Sequence, residues 1–272
     1  MEKTSWVAFS RTVPYVAQRA MNLSRCFVPR QLLFLLAAGP ILMAWPARGQ
    51  ETITLSSGQT QEVRILGVQD GGVKIQVGDA QMVEPFSNLT QVTMSPPPEF
   101  AAATTDYGQG DLQDALGLAT AVVQTYRGLP TDWAREAMLM VGDIDIALGQ
   151  LPQAQQAFQD YQAAYPSADS ADVNIGLAAI DVANHSLDDA KAKIAPILAH
   201  ALDTRNPPPE TASLIGRAFL VSGQIKEQSG DLSGALQDYL RTVTIFPQDR
   251  VAAAGAQQRA TALRKTPGVT VP

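Results

Sequence analysis

The chain has one cysteine, Cys26, and two histidines, His185 and His200, among 272 residues. A lone thiol forms no internal disulfide, and the two histidines lack the local spacing of a metal site, which needs clustered His, Cys or carboxylate ligands. Aromatic residues are only 6% of a chain that is 46% hydrophobic. The apolar content is therefore mainly aliphatic and alanine, which suits close-packed helices better than a large mixed core. No tract of Lys or Arg occurs, and a nucleic-acid partner needs one along its binding groove. Gly-x-Ser-x-Gly, His-Glu-x-x-His and Gly-x-x-x-x-Gly-Lys are all missing. Gly108-Gln-Gly110 lacks the third glycine and the lysine of a phosphate cradle. With so few candidate bases and nucleophiles, the expectation is a protein that is not an enzyme and needs no cofactor or metal.

Long apolar runs are also scarce. The one near the start, Leu32 to Trp45, is broken by Gly39-Pro40. Arg25 and Arg30 precede it and Ala47-Arg48-Gly49 comes after it. A basic stretch, a short apolar core and a small-x-small ending describe a secretory signal. The run is too short to span a bilayer comfortably. Residues 1–49 are expected to be a signal peptide cleaved after Gly49 or Ala47, with an uncleaved anchor as the alternative and Met21 as an alternative start. Cys26 would leave with it. Six of the 20 Lys/Arg and one of the 26 Asp/Glu fall in this segment. The remainder holds 14 basic against 25 acidic side chains, a net charge of −11.

Residues 50–95 alternate with period two. Thr52–Leu55, Glu62–Ile65, Val73–Val77, Gln81–Val83 and Leu89–Met94 read as short strands, punctuated by Gly58, Asp70-Gly71-Gly72 and Gly78-Asp79. The expectation is a small antiparallel sheet or SH3-like barrel of four or five strands. It serves either as a docking edge for a peptide strand or as a cap on the helical segment C-terminal to it. Ser95-Pro96-Pro97-Pro98 ends it as a stiff joint.

Beyond the prolines the period is helical, and one frame occurs twice. Gly149-Gln-Leu-Pro-Gln-Ala154 leads to Phe158 and Pro166, and Gly230-Asp-Leu-Ser-Gly-Ala235 leads to Tyr239 and Pro247. Both have Leu two places after the glycine, Ala at five, an aromatic at nine and Pro at seventeen. Two weaker copies centre on Ala115, with Ala119 in the aromatic place, and on Ala190, with His185 in the glycine place and Ile194 in the aromatic place. The four alanines are 39, 36 and 45 residues apart.

This frame resembles the second half of a tetratricopeptide repeat, whose standard length is 34 residues. The resemblance extends over roughly Phe100 to Lys265. Ala157-Phe-Gln-Asp-Tyr-Gln-Ala-Ala-Tyr-Pro166 is also similar to repeats of bacterial cell-envelope proteins, among them the periplasmic partner of the Tol-Pal system and the helical lipoprotein of outer-membrane assembly. The chain departs from both: the lipidation cysteine of the second is absent, and a β module replaces the coiled coil of the first. The resemblance implies an all-α tetratricopeptide-like solenoid, so that with the small antiparallel β module read from the alternation the chain is expected to be α+β. About four helix pairs fill 96–248, with a capping helix over 249–265 and a tail over 266–272. Such solenoids bind partners on a concave wall. The implied protein is an exported scaffold or adaptor, periplasmic or envelope-associated, that holds a protein or peptide. The alternative is an envelope subunit organising or regulating an enzyme or transport complex.

Asp106, Asp145, Asp181 and Lys226 share one place in the first helix of each unit. Facing the concave wall, the aspartates would form an acidic ladder for a basic or amine-bearing ligand, with Asp143 nearby. In a register shifted by one they would be ordinary solvated residues. Asp143, Asp145, Asp181 and Lys226 are the expected partner contacts. Gly149, Ala154, Phe158, Pro166, Ala190, Gly230, Ala235, Tyr239 and Pro247 are expected to hold the scaffold.

Overall fold

The computed structural model describes residues 51–168, 170–203 and 207–270. The expected signal segment and Cys26 lie outside the described residues. Six strands come first: β1 (Thr52–Leu55), β2 (Thr60–Glu62), β3 (Arg64–Gln69), β4 (Gly72–Val77), β5 (Ala80–Pro85) and β6 (Leu89–Thr93). They form two antiparallel sheets, ordered β2-β1-β6 and β3-β4-β5. The run expected over Glu62–Ile65 is divided at Val63, so one expected strand is the end of β2 and the start of β3. Asp70 and Gly71 both have positive φ, 51° and 75°, as a tight two-residue hairpin turn between β3 and β4 requires.

These sheets share a core with the helices. Ile53, Ile65, Val73, Ile75 and Val92 pack in one cluster with Phe100, Ala115, Leu129 and Trp133. The register of β3 against β4 shifts between Ile65 and Gly67. A Cβ built at Gly67 would lie 2.8 Å from the Thr125 carbonyl oxygen in the second helix, so the bulge lets β3 settle directly on that helix. Trp133 Nε1 donates to the Met94 carbonyl at 3.0 Å. The apolar face of the sheets is thus covered by the first helices.

Nine helices come next among the described residues: α1 (Pro98–Gln109), α2 (Leu112–Tyr126), α3 (Asp132–Ala147), α4 (Leu151–Ala164), α5 (Ala171–Ala183), α6 (Leu187–Asp203), α7 (Pro209–Gln228), α8 (Leu232–Thr244) and α9 (Arg250–Leu263). α1 to α8 form four successive pairs, and the odd-numbered helices also stack on one another. This is an α+β chain with a helical, solenoid-like C-terminal region. α1 touches both α3 and α9, so the odd-numbered layer curls back on itself. None of these helices is long and apolar enough to cross a membrane.

The repeat frame explains the pairing. Gly110, Gly149 and Gly230 sit at the turn within their pairs with φ of 90°, 75° and 86°, the left-handed conformation that glycine adopts without strain. His185 takes the same place with φ 61°. Five residues on, Ala115, Ala154, Ala190 and Ala235 are all fully buried at helix contacts. Ala154→Leu is expected to lower the unfolding free energy by about 1–3 kcal/mol through overpacking. A urea midpoint equal to that of the parent would show that Ala154 is not at a tight contact. Phe158 and Tyr239, four residues beyond the alanines, are likewise fully buried. After each, an aromatic-proline step leaves the unit: Tyr165-Pro166, with the Tyr165 hydroxyl donating to the Leu129 carbonyl at 2.9 Å, and Phe246-Pro247, with Phe246 stacked on Phe219.

Candidate functional site

The odd-numbered helices enclose a cavity of about 420 Å³. Its wall is largely aliphatic, with Ile146 from α3, Ile175 and Ala179 from α5, Leu220 from α7 and Val251 from α9. Tyr107, Asp143, Arg217 and Asp249 line it as well.

Arg217 on α7 is the hub of the polar groups. Its Nη2 donates to both carboxylate oxygens of Asp143 on α3, each at 2.8 Å. Nη1 donates to Asp172 Oδ1 in the first turn of α5 at 2.9 Å, and Nε lies 3.9 Å from Asp249 Oδ2. Asp249 also caps α9, its Oδ1 accepting from the Ala252 amide at 2.9 Å, the role Asp favours there. One guanidinium therefore ties α3, α5, α7 and the start of α9.

Three carboxylates around one guanidinium leave the cluster with an excess of two negative charges when all are ionised; Asp143 and Asp249 line the cavity, and Asp172 lies outside its lining. The Asp143 carboxyl is raised to about 6 in all: burial pushes it up most, Arg217 pulls it back, and Asp249 and Asp172 push it up again. Burial opposes the charge on Arg217, but Asp143, Asp172 and Asp249 outweigh it and hold the guanidinium more firmly protonated than usual. Glu136 is raised by burial and then by Asp172, Asp132 and Asp249. Tyr107, reaching in from α1, is raised by burial and then by Asp143.

Of the residues expected to contact a partner, Asp143 lines the cavity, whereas Asp145, Asp181 and Lys226 are not among its lining residues, nor is Asp106 of the aspartate ladder. Two of these instead join the helices of their own pair. Asp181 on α5 pairs with Lys193 on α6 at 2.5 Å, and Lys226 on α7 pairs with Asp238 on α8 at 2.6 Å. Lys193 and Asp238 each stand three residues after the frame alanine, so the two pairs are equivalent with their signs exchanged. Asp238 is fully buried and also accepts from Ser222 and Arg241.

The same place on α4 holds Ala157, so Asp145 has no counterion there. Its side chain is 4% exposed, and burial pushes its carboxyl above the ordinary value. A buried charge without a partner is costly. Ala157→Lys is expected to stabilise the fold by about 1 kcal/mol at neutral pH. The gain requires ionised Asp145, so it should shrink as pH falls through that raised value, and it should vanish in an Asp145→Asn background. Denaturant unfolding of the four variants at two pH values measures this.

His185 contacts Gln228 Oε1 through Nδ1 at 2.9 Å on the surface, and His200 lies in the last turn of α6. Among the described residues no group of three or more His, Cys, Asp or Glu side chains is placed to hold a metal ion. A second cleft, about 640 Å³, lies between the sheets and the α2–α3 and α4–α5 connections, with Phe86, Leu89, Arg127, Arg135 and Tyr165 on its walls. Arg127 is paired with Asp160 and Arg135 with Asp132.

Arg217, Asp172, Asp249 and Tyr107 were not legible as a site from sequence, since they come together only through stacking of the odd-numbered helices. The one local signal was a single arginine amid the apolar residues Leu214–Ile225. No family model matches the chain, and no curated protein or solved structure matches it either.

Proposed function

We propose that this chain is an exported, non-enzymatic scaffold or adaptor that holds a segment of a protein or peptide partner against the inner layer of odd-numbered helices. The observation that carries this reading is the cavity of about 420 Å³ that those helices enclose, aliphatic along its wall and charged at one end. Its size is that of an ordinary ligand pocket, enough for a few side chains of a partner rather than a whole domain. The resemblance of the repeat frame to tetratricopeptide units, and of 157–166 to envelope repeats, supports a binding role and an envelope location. The basic-apolar-small pattern of residues 1–49 supports export.

Site-specific photocrosslinking in intact cells tests it. A crosslinker at Ala179 or Gln224, both in the cavity wall, should capture a defined partner. The same group at the exposed Gln155 or Asp188 on even-numbered helices should not. Capture from the even-numbered positions alone would overturn the reading.

A further inference from the structure

We propose that the segment held in the cavity presents a lysine or arginine side chain, its cationic head at the Asp143–Asp249 end and its stem along the aliphatic wall. This rests on the reading of the cavity as the binding surface, and it adds the chemical class of the occupant.

Charge complementarity comes first. Asp143, Asp172 and Asp249 all lie within 4 Å of Arg217, so the cluster keeps a surplus of negative charge that its own arginine does not cancel. The other basic residue of the wall, Arg259, is engaged with Glu227 at 3.1 Å. An arriving anion would meet that surplus, whereas an arriving cation would complete it. Asp143 and Asp249 face the cavity, whereas Asp172, 42% exposed, lies outside its lining and adds its charge to the cluster through Arg217.

The wall supplies the second requirement. Ile146, Ile175, Ala179 and Leu220 offer an aliphatic surface beside the charged end, which suits a side chain with an apolar stem and a charged tip. Tyr107 lines the same space. It offers both a hydroxyl acceptor and an aromatic face to a cation. The carboxylates do not form a metal-holding group, which favours an organic cation.

The test uses the full chain and hexapeptides of mixed apolar sequence in which one fixed position is Arg, Lys, citrulline, Leu or Glu. Binding is read by fluorescence anisotropy. Arg and Lys sets are expected to bind at least tenfold more tightly than citrulline, Leu or Glu sets, with affinity falling as salt is raised. Asp249→Asn, at a residue that lines the cavity and with the α9 cap kept, should weaken Arg-peptide binding about three- to tenfold, and Asp172→Asn, at the outer side of the cluster, should weaken it less, both with unchanged circular dichroism. Acidification below about 6, where Asp143 takes up a proton, should weaken it too.

Equal binding of the citrulline and Arg sets would overturn the cation assignment while leaving the groove intact as a binding surface. So would absence of binding by any set when cavity crosslinks still capture a partner. Failure of the cavity crosslinks themselves would instead overturn the reading on which it rests.

Discussion

Arg217→Ala is expected to lower the unfolding free energy by about 3–5 kcal/mol, because it leaves partly buried carboxylates without their common cation. Asp143 loses both hydrogen bonds that its oxygens accept from Nη2, and Asp172 and Asp249 then repel it directly. Since the guanidinium joins α3 and α5 to α7 and to the cap of α9, the loss should be felt as loosening of the odd-numbered layer, with α9 exchanging its amide hydrogens first. Arg217→Met keeps much of the side-chain volume and should cost nearly as much. Adding Asp143→Leu should recover part of the loss, because an apolar pair needs no counterion.

The pH dependence has a definite sign. In the parent, Asp143 titrates near 6 when folded against an ordinary 3.8. The folded state therefore binds more protons than the unfolded one in that window, and this group's contribution to stability falls as pH rises through it. Without Arg217 the force lowering the Asp143 value is gone, and its folded value moves higher still. The deficit of the variant should be largest at pH 8 and should narrow towards pH 4.5. Urea unfolding of both proteins at the two pH values measures it, and a deficit independent of pH would show that the carboxylates are not the source of the loss.

The helix pairs were legible in the sequence because their geometry makes demands on single residues. An alanine at a close crossing and a glycine in a left-handed turn have few substitutes, and Ala115, Ala154, Ala190 and Ala235 are fully buried as that demand requires. His185 blurred the third unit by occupying the glycine place at positive φ. The divided strand at Val63 was hidden because alternation continues across it.

The charged site was illegible for a different reason. Arg217 meets Asp143 from 74 residues away and Asp172 from 45, and no local period encodes contacts between successive first helices. The orientation of Asp181 and Lys226 had a trace in the sequence. Lys193 and Asp238, three residues past the frame alanine and opposite in sign to them, point to pairing within each unit rather than to a ladder on the concave wall.

The largest packing effect should come from Phe158. Its ring is fully buried between α3 and α5, and Phe158→Ala is expected to cost about 3–5 kcal/mol. A Cβ added at Gly142 would lie 2.7 Å from the ring, and one added at Gly176 would lie 2.2 Å from it. Those glycines are spaces that the ring occupies. Gly176→Ala alone should therefore cost about 1–3 kcal/mol by overpacking. In the Phe158→Ala background the same change should be neutral or stabilising, since the clash is gone and alanine is the better helix residue by about 0.5–1 kcal/mol. A thermodynamic double-mutant cycle measures the coupling, and additive costs would refute it.

The chain already contains the comparison. The place occupied by Gly142 in α3 reads Ala103 in α1, Ala178 in α5 and Gly223 in α7. Glycine stands there where the second helix brings Phe158 or Tyr239, and alanine where it brings Ala119 or Ile194. Tyr239 makes the same demand on its own pair, for a Cβ at Gly223 would lie 2.4 Å from its ring. Ring and glycine are thus one packing unit, and the third pair should accept Ile194→Phe far better when Ala178→Gly accompanies it than when it is made alone.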